Sequence, residues 1–162
     1  MTEFLRELKL RIKDIKKRFP GKTRVFTISS TSKNEDSSYL TPLRFSANIV
    51  VTGIVIFKSK DLLSIKKIIN DNFKYIFLDN DLKRFNNSKK NLFNLHTKHF
   101  SPKKIMAYKP NDITVDSCWS WIHNGPKIKN NNIFIIGMGN IGTKLALKLF
   151  ESGRNIYVNR RD

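Results

Sequence analysis

Leu5, Leu8, Ile12, Ile15 and Phe19 recur at steps of three and four residues, the spacing that gathers side chains on one face of an α-helix. Thr2 is a candidate N-cap and Pro20-Gly21 a stop signal, so the pattern predicts an opening helix. Its other face is Arg6, Lys9, Lys13, Lys16 and Lys17, which reads as the solvated side of a helix that covers a core. Residues 24–30 read as a short strand and 29–38 as a polar loop. Residues 45–57 are rich in β-branched side chains and predict one or two strands, with Gly53 marking a turn, bulge or close approach. Asp61 is placed to cap a helix running to Asn72 on Leu62, Ile65, Ile68 and Ile69. A strand at 75–78, a helix at 91–100 and a strand at 105–108 follow. This alternation predicts an α/β layered domain over residues 1–110.

From Asn111 the pattern changes. Asp112 or Thr114 can cap a helix carrying Val115, Trp119 and Ile122 and closed by Asn124-Gly125-Pro126, which predicts a connecting helix and linker over residues 111–131. An apolar strand then runs into Gly137-Met138-Gly139-Asn140-Ile141-Gly142, and a helix follows with Ile141, Leu145, Ala146 and Leu149 on its buried face. Gly153 stops that helix, and residues 155–158 form a second strand. G-x-G-x-x-G at a strand-to-helix turn is the dinucleotide-binding fingerprint. Gly137 permits the tight turn, Gly139 lets a pyrophosphate approach the backbone, and Gly142 lets the helix pack closely. The first-turn N–H groups and the positive end of the helix dipole then face the phosphates. Residues 132–162 are thus expected to be the first β-α-β unit of a Rossmann doubly wound sheet. The unit is incomplete, because the half that carries the nicotinamide is not in the sequence. A fragment of a longer protein, inactive alone, is the expectation.

The end of the second strand bears on the cofactor. An NAD site carries Asp or Glu there, to bond the ribose 2′-hydroxyl. This chain has Asn159-Arg160-Arg161, and guanidinium groups suit a 2′-phosphate. NADP is therefore expected in preference to NAD, held by Gly137, Met138, Gly139, Asn140, Ile141, Gly142, Asn159, Arg160 and Arg161.

The string Ile156-Tyr-Val-Asn-Arg-Arg161 after that glycine turn resembles the Asn-Arg-Thr strand ending of the shikimate dehydrogenase and glutamyl-tRNA reductase group. The resemblance implies an NADP-dependent oxidoreductase with an α/β substrate domain first and a Rossmann domain second. In the shikimate dehydrogenases an Asn-Thr-Asp motif opens the connecting helix, and Asn111-Asp112 stands at a similar remove from Gly137. By that likeness Asp112 is a substrate-binding or catalytic acid and Lys109 its candidate partner. A Lys–Asp pair would shuttle a proton to a carbonyl while hydride moves from the nicotinamide. The residues by themselves read more readily as a strand-end lysine and an N-cap aspartate.

Composition narrows the partners. The net charge of +18 comes mainly from lysine, in a chain also rich in asparagine and isoleucine, and all three have A/T-rich codons. The basic residues are spread along the sequence and no aromatic residues alternate with them, so nucleic acid is not expected as a partner. No apolar stretch approaches the roughly 20 residues of a membrane span. A single cysteine, Cys118, excludes an intramolecular disulfide and makes the cytoplasm the simplest location. Cys118 itself reads as core, Asp79 and Asp81 as an exposed loop pair, and His96 with His99 as a pair lacking further zinc ligands, so no metal is expected. The reading is an oxidoreductase of a small polar carbonyl or hydroxy compound, with homo-oligomerisation open. The alternative is a non-catalytic dinucleotide-binding or sensing module.

Overall fold

The computed structural model describes residues 3–31, 37–81, 91–125 and 131–159. Thr2, most of the polar loop after residue 31, the linker at 126–130, Arg160 and Arg161 lie outside them. The chain divides into two compact units, Met1–Tyr108 and Lys109–Asp162. Both are α/β.

In the first unit, helix α1 (Glu3–Arg18) leads into strand β1 (Thr23–Ser30). Two-residue strands β2 (Tyr39–Leu40) and β3 (Arg44–Phe45) precede the long β4 (Ile49–Ile56). Then come α2 (Ser59–Asn72), β5 (Tyr75–Asp79), the short α3 (Leu92–His96) and β6 (Ile105–Tyr108). β4, β1, β5 and β6 lie side by side in parallel, while β2 and β3 run antiparallel along the outer edge of β4. The chain therefore steps first to one side of β1 and then to the other.

Register places Phe26 and Ile28 of β1 beside Thr52 and Ile54 of β4, and beside Ile76 and Leu78 of β5. Phe26, Ile28, Ile54, Ile76 and Leu78 share one face and form the core with Leu8 and Ile12 of α1, Leu62, Ile65 and Ile69 of α2, and Leu92 of α3. All three helices thus pack on the same face of the sheet.

Gly53 makes a close approach within an unbroken β4. A Cβ there would sit 2.0 Å from Thr27 Oγ1 and 2.3 Å from the Thr27 carbonyl oxygen. Asp61 does not cap α2. The helix begins one turn earlier, after Lys58, and the Asp61 carboxylate accepts a bond from Ser38 Oγ (2.6 Å) within the first turn. The helix expected at 91–100 is α3 followed by a 3-10 turn at Thr97–His99, with Asn91 Oδ1 accepting the Asn94 N–H at 3.0 Å as its cap.

The second unit holds α4 (Pro110–Asn124), β7 (Asn132–Ile136), α5 (Asn140–Glu151) and β8 (Asn155–Asn159). β7 and β8 pair in parallel from Asn132–Asn155 to Ile136–Asn159, with α5 as the crossover. Pro110 opens α4 after Lys109 as N-cap, so neither Asp112 nor Thr114 is the cap. The helix expected to connect two domains packs against α5 within this unit. Ala146 and Leu149 of α5 are buried and Leu145 is half-buried, whereas Ile141, expected on the buried face, is exposed. Ile141 lies in the first turn, beyond the end of the two-stranded sheet that the later residues cover.

Candidate functional site

Each glycine of the Gly137–Gly142 turn meets a different steric condition. Gly137 has φ +103°, in the left-handed region that L side chains rarely adopt, and its N–H extends the sheet by bonding the Asn159 carbonyl at 2.8 Å. Gly139 is the N-cap of α5 at φ −76°, an ordinary value, and a Cβ added there would find no atom within 4 Å. Gly142 is crowded: its Cβ would lie 2.0 Å from the Gly137 carbonyl oxygen and 3.7 Å from Ile135 Cγ2. One glycine bends the chain, one leaves space open, and one lets the helix leave the turn.

The Thr143 N–H bonds the Gly139 carbonyl (2.9 Å) to close the first helical turn, and no side chain caps α5. The first-turn amides at Asn140, Ile141 and Gly142 have no intrahelical acceptor by the geometry of the helix. Donors with no cap and open space above Gly139 make a cradle suited to phosphate oxygens. Met138 is half-buried beside them, and Asn140 and Asn159 are exposed. The sequence thus brings Gly137 through Gly142 and Asn159 to one end of the β7–β8 sheet. Arg160 and Arg161 lie outside the described residues.

Lys109 and Asp112 also come together, with Nζ 4.0 Å from Oδ2 across the first turn of α4. A cation the sequence did not single out, Lys144 of α5, bonds the other carboxylate oxygen of Asp112. Its bond and charge hold the Asp112 carboxyl below the usual aspartate range. One helical turn on, Lys148 pairs with Asp116 and lies 4.8 Å from the Trp119 ring centroid. The two pairs are rungs between α4 and α5. The i,i+4 recurrence of Asp112 with Asp116 and of Lys144 with Lys148 was the available signal, legible only once the two helices are known to be neighbours.

A separate polar cluster occupies the carboxyl ends of the parallel strands in the first unit. Asp79 is buried and accepts the backbone N–H of Ser30 (3.2 Å) and of Asp81 (2.9 Å). Asp81 is buried too, against the expectation of an exposed loop pair: its backbone N–H is drawn in as one of the two donors that satisfy the buried Asp79 carboxylate. Tyr108 Oη shares a hydrogen bond with Ser29 Oγ, and burial pushes its phenol up to about 12. Carboxyl ends on either side of a central strand such as β1 are where open α/β sheets place ligands.

Other candidates resolve simply. His96 is buried with its ring centroid 5.4 Å from that of His99, and among the described residues no group of three His, Cys, Asp or Glu side chains could hold a metal. Cys118 is half-buried on α4. An open groove of about 630 Å³ along Ile113, Ser117 and Trp121 of α4 shares no residue with the glycine turn. Among the described residues no helix is long and apolar enough to cross a membrane. Comparison of the chain with protein-family models, with curated proteins and with solved structures finds no match in any of the three.

Proposed function

We propose that the Gly137–Gly142 turn binds the pyrophosphate of NADP, in an oxidoreductase acting on a small polar carbonyl or hydroxy compound. The observation that carries this reading is the division of labour among three glycines. A turn needed only for folding would account for Gly137 and Gly142, but position 139 has an ordinary backbone conformation and open space, so nothing in the fold demands glycine there. A ligand pressed against the backbone does. The amides of Asn140, Ile141 and Gly142 would hold the phosphates. Asn159 with Arg160 and Arg161 would hold the ribose and its 2′-phosphate, and Met138 would flank the turn. When bound, the cofactor supplies or accepts hydride at its nicotinamide.

Of the two candidate proton-transfer groups, Lys109 is the donor in this reading. Asp112, kept ionised by Lys144, holds the Lys109 ammonium in place.

Calorimetric titration with NADP and with NAD, for the native chain and for Arg160→Ala, tests the cofactor assignment. The expected result is a preference for NADP of at least tenfold, about 1.4 kcal/mol, that disappears in the variant. Equal affinities untouched by the substitution would defeat it. A second reading, a non-catalytic dinucleotide-binding or sensing module, draws on the Asp112–Lys144 and Asp116–Lys148 rungs, since a carboxylate committed to joining two helices needs no chemical role. NADP binding without NADPH oxidation across a panel of small carbonyl compounds would favour that module.

A further inference from the structure

We propose that the solvent face of α1 binds the phosphate backbone of duplex nucleic acid. The sequence spreads its cations along the chain, but folding sorts those of α1 by sign. Glu7 pairs with Arg11 (2.7 Å) and Asp14 with Arg18 (3.1 Å), so the acids and their partners occupy one flank of the helix. Phe4, Leu8, Ile12 and Ile15 fill the buried side. The remaining arc presents Arg6, Lys9, Lys13, Lys16 and Lys17, all exposed and at helical spacing. Among the described residues no carboxylate pairs with Arg6, Lys13, Lys16 or Lys17. The stripe is about 16 Å long at the rise of an α-helix. α2 packs in the same helical layer and adds exposed Lys60 and Lys67.

The chemistry of the stripe selects the partner. An interfacial membrane helix sinks an apolar face into lipid, and the apolar face of α1 is already spent on the core. A single-strand site stacks bases on aromatic rings, and none of the stripe residues is aromatic. Duplex DNA or RNA asks only for cations at its phosphates, which gives sequence-independent, salt-sensitive binding.

Fluorescence anisotropy of the whole chain with a 20-base-pair DNA duplex of arbitrary sequence, repeated with an RNA duplex of the same length across a salt series, tests this. The expected result is binding whose log–log salt slope becomes shallower by about two for DNA in Lys13→Gln/Lys17→Gln. The control Lys74→Gln/Lys98→Gln, with the same loss of charge at exposed positions outside α1 and α2, should leave the slope near native. Circular dichroism of both variants confirms that they fold. Equal losses in the two variants would reduce the effect to general charge and overturn the assignment. Binding to phosphatidylserine vesicles but to neither duplex would overturn it in favour of a membrane surface. Because NADP titration reads the other unit, failure here leaves the dinucleotide proposal standing.

Discussion

A Cβ on residue 142 would lie 2.0 Å from the carbonyl oxygen of Gly137, so α5 can leave its turn at the observed angle only while position 142 is glycine. Gly142→Ala must push the helix off the turn, at a cost of about 2–3 kcal/mol. Both tryptophans, Trp119 and Trp121, lie in α4 of the same unit, so a urea titration followed by their fluorescence reads this loss directly. An unchanged midpoint would mean that the turn relaxes without strain.

Gly139→Ala separates binding from folding. The added methyl meets nothing in the protein at a backbone angle that alanine adopts freely, so stability should stay within about 0.5 kcal/mol of native. NADP affinity should fall by about tenfold or more, because the methyl occupies the approach to the turn. Undiminished affinity in this variant would remove the chief support for the dinucleotide site.

The Asp112–Lys144 pair gives a pH prediction. Lys144 depresses the Asp112 carboxyl, so the pair stabilises the fold at neutral pH. That contribution is present above the unfolded aspartate value of about 4 and is lost as pH falls through the lower folded value. Both side chains are 40% exposed, which keeps it below about 1 kcal/mol. Lys144→Gln should raise the Asp112 pKa, observable by carbon NMR of the carboxyl, and shrink the acid-side slope of stability. An unmoved Asp112 titration would show that the pair does not form in solution.

Tyr108 carries the opposite sign. Burial, with Asp79 also nearby, raises its phenol to about 12, so the native state holds a proton that the unfolded chain releases near pH 10. Its contribution is complete below pH 10 and fades as pH climbs toward 12. Ultraviolet titration should show one late-ionising tyrosine that is missing in Tyr108→Phe, and that variant should lose about 1 kcal/mol with the Ser29 bond. Ionisation of every tyrosine near pH 10 would contradict the buried position.

The elements were legible where periodicity and punctuation agreed. β7, α5 and β8 lie where an apolar run, three glycines and a stop predict them, and Pro20-Gly21 ends α1 as read. What periodicity cannot show is which distant elements become neighbours. Asp79 looked like a loop residue because its partner amide, on Ser30, is 49 positions away and arrives only when β1 pairs with β5. Lys144 reaches Asp112 across 32 positions, and Tyr108 reaches Ser29 across 79. β2 and β3, at two residues each, are too short to have a period and exist through their register with β4. Gly53 was visible as a special position, but only the facing Thr27 shows that it serves close approach. The glycine turn is the converse case: its conformations are local, so sequence spacing sufficed to locate it.

Phe134, Ile136 and Tyr157 stand exposed on the side of the β7–β8 pair away from α5, on a sheet that has no third strand among the described residues. Such a surface is adhesive toward copies of itself, and a chain of net charge +18 holds those copies apart by long-range repulsion. That repulsion reaches about 10 Å at 0.1 M salt and about 3 Å at 1 M. Colloidal behaviour then becomes a contest between screening and adhesion: light scattering should report dispersed particles in dilute buffer and growing clusters as salt is added, until an apolar covering for that face is supplied.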